Sequence, residues 1–292
     1  MIGDNLNYSK DLDNLVPDIY KMIEVLSDGK QLDISDDMIH DFGERMKAAL
    51  LHWSEPHKQS KGLRMSNIGK PARQLWYEKR SEKPAPPLKA ATHIKFLYGH
   101  LLEELLLLLV KLAGHEVTDE HKEVKVDGIK GHMDCKINGE VVDVKTASNF
   151  AFRKFSEGTL AVDDPFGYMA QLAGYEAAEG TSDGGFLAIN KESGEIALYQ
   201  PEELDKPNVE DRIDNLIEMF SIQQIPDKCY KPIPVGTKGN MKLPMGCVYC
   251  HHKLECHSDT NNGKGLRMFK YAKGVEYLTD VRSLPRVEEI VL

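Results

Sequence analysis

Apolar residues recur every three to four positions over residues 13–26 (Leu15, Ile19, Met22, Ile23 and Leu26), which predicts a helix. Ser35 is a candidate cap for a second helix running through Trp53, with Met38, Phe42, Met46 and Leu50 on one side. Residues 56–92 are rich in Lys, Pro and Gly, with one short helical piece at 72–79 and a PAPP breaker at 84–87. A strong helix follows over 93–113. Its leucines occupy most positions around the axis, which predicts burial nearly all round. The period then changes to two, predicting strands at 123–126, 129–137 and 140–146. Asn138-Gly139, between the last two, is a strong hairpin signal. Asp164-Pro165 opens a further helix to about residue 178. Strands at 186–190 and 196–200 flank a Ser193-Gly194 turn, and Asn208 caps a helix presenting Val209, Ile213, Leu216, Ile217 and Phe220. From residue 225 the chain is rich in Pro, Gly and Cys and is expected to be mostly irregular. The central order α-β-β-β-α-β-β-α implies an α/β core around a mixed sheet.

The 292 residues suit two domains, or one with additions. The pattern divides them into an N-terminal helical and basic region (1–92), a core (93–224) and a Cys-rich C-terminal region packing on it (225–292). With 41% hydrophobic and 28% charged residues, wholesale disorder is excluded. No apolar run reaches the ~18 residues that span a bilayer, so no membrane association is expected. The acidic first residues do not read as a secretory signal. Three of the five cysteines lie within ten residues, which suits a metal site in a reducing compartment and a cytoplasmic location.

Charge changes the picture. The net charge of −9 is unevenly spread: residues 1–55 hold twelve acidic and five basic side chains, whereas 56–95 hold ten Lys/Arg and only Glu78 and Glu82. That block reads either as a phosphate-binding surface or as a solvated loop.

The candidate chemistry sits on the hairpin. A two-residue loop makes Ile137 face Glu140, which places Asp134 opposite Asp143 and His132 opposite Lys145 on one face. Two opposed carboxylates repel; Lys145 lies near both, and a divalent cation between them would neutralise the rest. Glu103, on the leucine-rich helix, is the better buried candidate, and Glu104 is expected to face solvent. Gln171 and Tyr175, four apart, share one helix face.

Gly99-x3-Glu103, Gly131-His132-Met133-Asp134, Asp143-Val144-Lys145 and Gln171-x3-Tyr175, in that order, resemble the motifs of the PD-(D/E)XK nuclease superfamily, in particular its RecB-like exonuclease branch of phage-type stand-alone nucleases. The resemblance implies a restriction-endonuclease-like core (α-β-β-β-α-β). It implies a metal-dependent deoxyribonuclease whose catalytic residues are Asp134, Asp143, Lys145, Gln171 and Tyr175. Glu103, Asp134, Asp143 and the Val144 carbonyl would hold one or two Mg²⁺ or Mn²⁺ ions. Lys145 would position or deprotonate the attacking water, and Gln171 and Tyr175 would help hold the strand. The implied activity is exonucleolytic, on single- or double-stranded DNA in replication, recombination or degradation, with a replication or recombination protein as a possible partner. It would act in the host cytoplasm if phage-encoded. A structure-specific endonuclease and a non-catalytic DNA-binding subunit are the alternatives.

Cys247-x2-Cys250-x5-Cys256 matches the tail spacing of the RecB-like nucleases that carry an iron–sulfur cluster, but the upstream cysteine expected before Arg73-Gln74-Leu75-Trp76-Tyr77 is absent. Three readings remain: structural Zn²⁺ with Cys229 as the fourth ligand, an iron–sulfur cluster completed by Cys229, or free thiols. In the basic block, Lys70, Arg73, Gln74, Trp76 and Tyr77 combine charge with aromatics as single-strand binders do, the alternative being that Trp76 and Tyr77 pack into the core.

Overall fold

The computed structural model describes residues 11–56, 62–82 and 87–291. In chain order the first helices are α1 (Leu15–Glu24), α2 (Asp36–Ser54), α3 (Met65–Ile68), α4 (Ala72–Arg80) and α5 (Ala90–Leu112). Strands β1 (Val117–Thr118), β2 (Glu123–Val126), β3 (Ile129–His132), β4 (Cys135–Ile137) and β5 (Glu140–Ala147) follow. Then come α6 (Asn149–Ser156), α7 (Tyr168–Glu179), β6 (Gly185–Asn190), β7 (Ile196–Tyr199) and α8 (Val209–Ser221). The last strands are β8 (Ile233–Val235), β9 (Asn240–Lys242), β10 (Arg267–Tyr271), β11 (Gly274–Asp280) and β12 (Glu289–Ile290), interspersed with single helical turns. The chain is an α/β protein.

It divides into two units. One comprises the residues up to Gly69 with Leu88–Asp164 and Tyr168–Arg212; the other comprises Lys70–Pro87, Pro165–Gly167 and the residues from Ile213. This division does not follow the segments 1–92, 93–224 and 225–292. Helix α1 joins the first unit because Leu15, Ile19 and Met22 complete its core. Residues 70–87 join the second because α4 is tied to the cysteine segment through Arg73 and Tyr77.

In the first unit a mixed sheet of order β1-β4-β5-β6-β7 pairs β5 and β6 in parallel and the other neighbours antiparallel. One face is covered by α1 and the C-terminal half of α5, where Leu106, Leu107 and Val110 meet Ile137, Val142, Val144 and Leu187. The alternate face carries Phe186, which packs with Phe155 of α6 and Tyr168 of α7. Strands are buried on both faces because helices cover both, and β6 is apolar along nearly its whole length. Ser35 Oγ accepts from Met38 N at the start of α2, and Asn208 Oδ1 accepts from Asp211 N at the start of α8, as the sequence anticipates.

The hairpin forms as read. Asn138 and Gly139 have φ of 53° and 94°, the left-handed pair that a two-residue turn requires, and Ile137 faces Glu140. The run 129–137, however, is two strands. Ladder pairing with β5 stops at Cys135↔Val142, and β3 pairs instead with β2, placing His132 against Glu123. The expected His132–Lys145 pair is therefore not formed. Met133 N donates to Lys122 O and Asp134 O accepts from His121 N, which draws this segment away from β5. Gly131 permits the departure: a Cβ there would lie 2.5 Å from Met65 Cβ and 2.7 Å from Tyr175 Cε1.

Three further expectations change. Helix α7 starts at Tyr168 rather than after Asp164, whose carboxylate reaches forward to accept from Met169 N. Helix α5 is buried only in its C-terminal half; Ile94, Phe96 and Tyr98 are exposed, because the sheet supports only its later turns. The C-terminal residues, expected to be irregular, form an antiparallel sheet of order β12-β10-β11-β9-β8 around Phe269 and Leu278. Most of its strands are too short to show a clear period, and Pro234 sits on the edge strand β8, where a missing N–H is tolerated. Among the described residues no helix is long and apolar enough to cross a membrane.

Candidate functional site

Asp143 and Lys145 alternate with Val142 and Val144 along β5. Those valines belong to the core against α5, so the two charged residues face the α6–α7 side. Asp143 is 1% exposed. Its Oδ2 ion-pairs with Lys145 Nζ, while Oδ1 is buried and accepts no hydrogen bond from the described residues. Lys145 Nζ also lies 4.9 Å from the centre of the Tyr168 ring, a cation–π contact that braces it from the helix layer. Burial alone would lower the Lys145 pKa, but the charges of Asp143 and Asp134 outweigh it and raise it, keeping the amine protonated.

Asp134 arrives from the departing strand. Its Oδ2 accepts from Val144 N at 2.6 Å, so a side chain takes the place of a ladder bond where β4 leaves β5. Burial, then the Asp143 charge, pushes its pKa up to about 7. Glu103 enters from α5, and burial, then the Asp134 charge, lifts it to about 8. The three carboxylates therefore feel one another.

Glu104 is the buried member of its pair, at 5% exposed, which reverses the expectation. It faces Arg45 of α2 and accepts or shares a hydrogen bond with His121 Nε2 at 3.2 Å. His121 also stands 3.7 Å from Glu103, and its hydrogen bond to Glu104 raises its pKa. Nothing in the sequence marked His121 or Arg45, because each meets its partner only through tertiary packing. Tyr168 was legible in principle, being one turn before Gln171 on the same helix face.

Gln171 Nε2 donates to the Tyr175 hydroxyl (3.0 Å), which donates to His132 O (2.7 Å). Tyr175 is 1% exposed, so these two residues brace the segment that delivers Asp134 rather than present a hydroxyl to a strand. His132 itself is exposed beside Glu123.

The residues of the basic block are engaged within the second unit. Lys70 and Gln74 both bind Glu78, and Tyr77 is buried and stacks on His252. Trp76 lies under Arg80. Arg73 donates to Cys256 Sγ (3.0 Å) and to Pro226 O. Trp76 and Tyr77 therefore pack within the unit, the alternative the sequence left open for them. Cys229, Cys247, Cys250 and Cys256 line one pocket together with Arg73 and His257. None forms a disulfide; burial pushes Cys247 up to about 12 and raises Cys229 and Cys250. Cys135 is a core residue of β4.

As placed, no three His, Cys, Asp or Glu side chains among the described residues close on a common point that could hold a metal ion. The first-unit site nevertheless suits a hard cation in its chemistry: burial, then a neighbouring aspartate charge, raises Asp134 and Glu103, and Asp143 Oδ1 is a buried acceptor with no hydrogen-bond partner among the described residues.

A pH dependence follows. A carboxyl held above its ordinary value of about 4 binds its proton more tightly when folded than when unfolded. Its contribution to stability is complete below about pH 4 and is lost as pH rises through about 7 and 8, the values for Asp134 and Glu103. The metal-free protein should therefore melt at lower temperature at about pH 8.5 than at about pH 5, and Glu103→Gln should flatten that slope. Mg²⁺ should raise Tm more at the higher pH, since ion and proton compete for the same oxygens. Thermal melts showing equal slopes for wild type and Glu103→Gln would refute this account of the site.

No family model matches the chain, and no curated protein matches it. Among solved structures, the crystal structure of SSO0001 is 20% identical to this chain with a TM-score of 0.40, covering 75% of this chain and 96% of that one, a likeness that carries no argument about fold or function.

Proposed function

We propose that this chain is a metal-dependent DNA nuclease of the PD-(D/E)XK type, acting as an exonuclease. The observation that supports this best is the grouping of Asp134, Asp143, Lys145 and Glu103 where β4 departs from β5. Phosphodiester hydrolysis needs an oriented water and relief of the charge that builds on the phosphoryl oxygens. Lys145, held protonated by the two aspartates, is suited to donate a hydrogen bond to those oxygens rather than to act as a base. Tyr175, donating to His132 O and held by Gln171, braces the segment that delivers Asp134. Glu103, Asp134 and Asp143, with the Val144 carbonyl, would hold Mg²⁺ or Mn²⁺, which when bound supplies Lewis-acid polarisation and a more acidic water.

The test is incubation of end-labelled linear DNA and closed circular DNA with Mg²⁺ or Mn²⁺. Mononucleotide release from the linear form with the circle intact is expected. Nicking of the circle would instead assign an endonuclease, and no hydrolysis of either would leave a DNA-binding subunit.

For the second unit we propose one structural Zn²⁺ held by Cys229, Cys247, Cys250 and Cys256. The shared pocket supports it, although the sulfurs must close on the ion from their present positions. Elemental analysis should give about one Zn²⁺ per chain in a colourless protein. A brown protein would favour an iron–sulfur cluster, and four titrating thiols without metal would favour free cysteines.

A further inference from the structure

The core-facing side of α5 continues past the end of the core. Leu107 and Glu103 lie four apart on one face, and Phe96 lies seven residues, two turns, before Glu103 on that same face. Leu107 is sealed against the sheet, whereas Phe96 is 45% exposed. Between Phe96 and Glu103 sits Gly99, where an added Cβ would meet nothing within 4 Å. The helix thus presents an open strip ending at the proposed catalytic carboxylates, with Phe96 about 10 Å from Glu103 along the axis.

The start of the strip is braced against α2 and carries two lysines. Trp53 Nε1 of α2 donates to His93 O (2.8 Å), and the His52 and His100 rings meet edge to face at 5.4 Å, bracing the first turns of α5 against α2. The His93 ring meets Phe96 edge to face. Lys89 and Lys95 are exposed and have no ion pair among the described residues. Of the other lysines of this unit, Lys111, Lys122, Lys130 and Lys136 are each paired with a carboxylate, and Lys21, Lys125 and Lys191, which have no ion pair among the described residues, lie on other segments. An exposed aromatic face beside unpaired cations, next to a position without a side chain, has the chemistry of a single-strand platform. Bases stack on the ring, phosphates meet the lysines, and the backbone approaches closely at the glycine. A duplex hides the base faces that such a ring would contact.

We propose that the face of α5 from Lys89 to Glu103 is a track for single-stranded DNA, with Phe96 stacking a base close to the scissile phosphate. The inference rests on the nuclease reading for its direction, but its test does not need cleavage. Binding of a fluorescein-labelled single-stranded oligonucleotide is followed by anisotropy in EDTA and in Ca²⁺, with a blunt hairpin duplex as competitor. Phe96→Ala should weaken single-strand binding about 5- to 100-fold, the range of one lost base–aromatic stack. Lys89→Ala and Lys95→Ala should each reduce the slope of log affinity against log salt by about 0.7. Gly99→Leu should leave Tm unchanged or raise it, because helix propensity improves and the space is open, yet block binding.

Single-strand affinity unchanged in Phe96→Ala and Lys95→Ala overturns the track, whatever Gly99→Leu does to folding. So does a preference for the duplex, or a wild-type oligomer that Phe96→Ala dissolves, which would assign the face to a second copy of the chain. If Mg²⁺-dependent cleavage is absent while variant-sensitive single-strand binding persists, the nuclease reading fails and the track stands. Cleavage by a Phe96→Ala protein whose binding is intact leaves the nuclease and removes the track.

Discussion

Asp143→Asn should lower the single-turnover rate on end-labelled DNA by at least about 10³-fold, and Lys145→Ala by at least about 10²-fold, because each removes a charge placed where the reaction develops its own. The two variants should differ in stability. Asp143 is almost wholly buried and its ion pair is with Lys145, so Lys145→Ala strands a buried carboxylate at a cost of about 3–5 kcal/mol. Lys145→Met combined with Asp143→Asn removes both charges and should recover most of that loss while remaining inactive. Denaturant melts separate the stability effect from the kinetic one, and anisotropy in Ca²⁺ checks that DNA is still bound. A rate within tenfold of wild type in Asp143→Asn would remove this residue from the chemistry and, with it, the proposed site.

The second large effect concerns the cation. Hydrolysis should require Mg²⁺ or Mn²⁺ and fall to background after dialysis against EDTA. Ca²⁺ should not support it even where it binds, because its looser and higher coordination aligns the reacting oxygens poorly. The carboxylates motivate this: burial, then a neighbouring aspartate charge, raises both Asp134 and Glu103, and Asp143 Oδ1 has no hydrogen-bond partner among the described residues. Asp134→Asn and Glu103→Gln should each raise the Mg²⁺ concentration giving half-maximal rate by about tenfold or more, the loss expected when one charged oxygen donor leaves the site. Sustained cleavage in EDTA after exhaustive dialysis would rule out a carboxylate-held ion.

The longer elements from α1 to α8 were legible in the sequence where their neighbours along the chain marked them, whereas α3, β1 and α6 were not anticipated. Asn138-Gly139 carries its own turn geometry, and a two-residue turn sets the register from Ile137–Glu140 to Cys135–Val142 without help from elsewhere. Register brings Asp134 to the vicinity of Asp143, and helical period puts Gln171 beside Tyr175. The tail was illegible for the converse reason: strands of two to seven residues leave too little pattern to be recognised singly, and their partners lie far along the chain.

The sequence by itself therefore determined the longer helices, though not α3 or α6, the hairpin, and the types of charged residue that a site would use. Tertiary structure decided which of them meet. It drew Met133 and Asp134 toward residues 121 and 122, so that Asp134 bonds Val144 N through its side chain and His132 pairs with Glu123 instead of facing Lys145. It buried Glu104 against Arg45 and left Glu103 for the site, although the two are adjacent on a helix whose leucines point nearly everywhere. It tied Arg73 to Cys256. Each of these outcomes is a competition between partners distant in sequence, settled by which arrangement leaves fewer buried charges and donors unmet, and no local pattern of apolar and polar positions encodes that comparison.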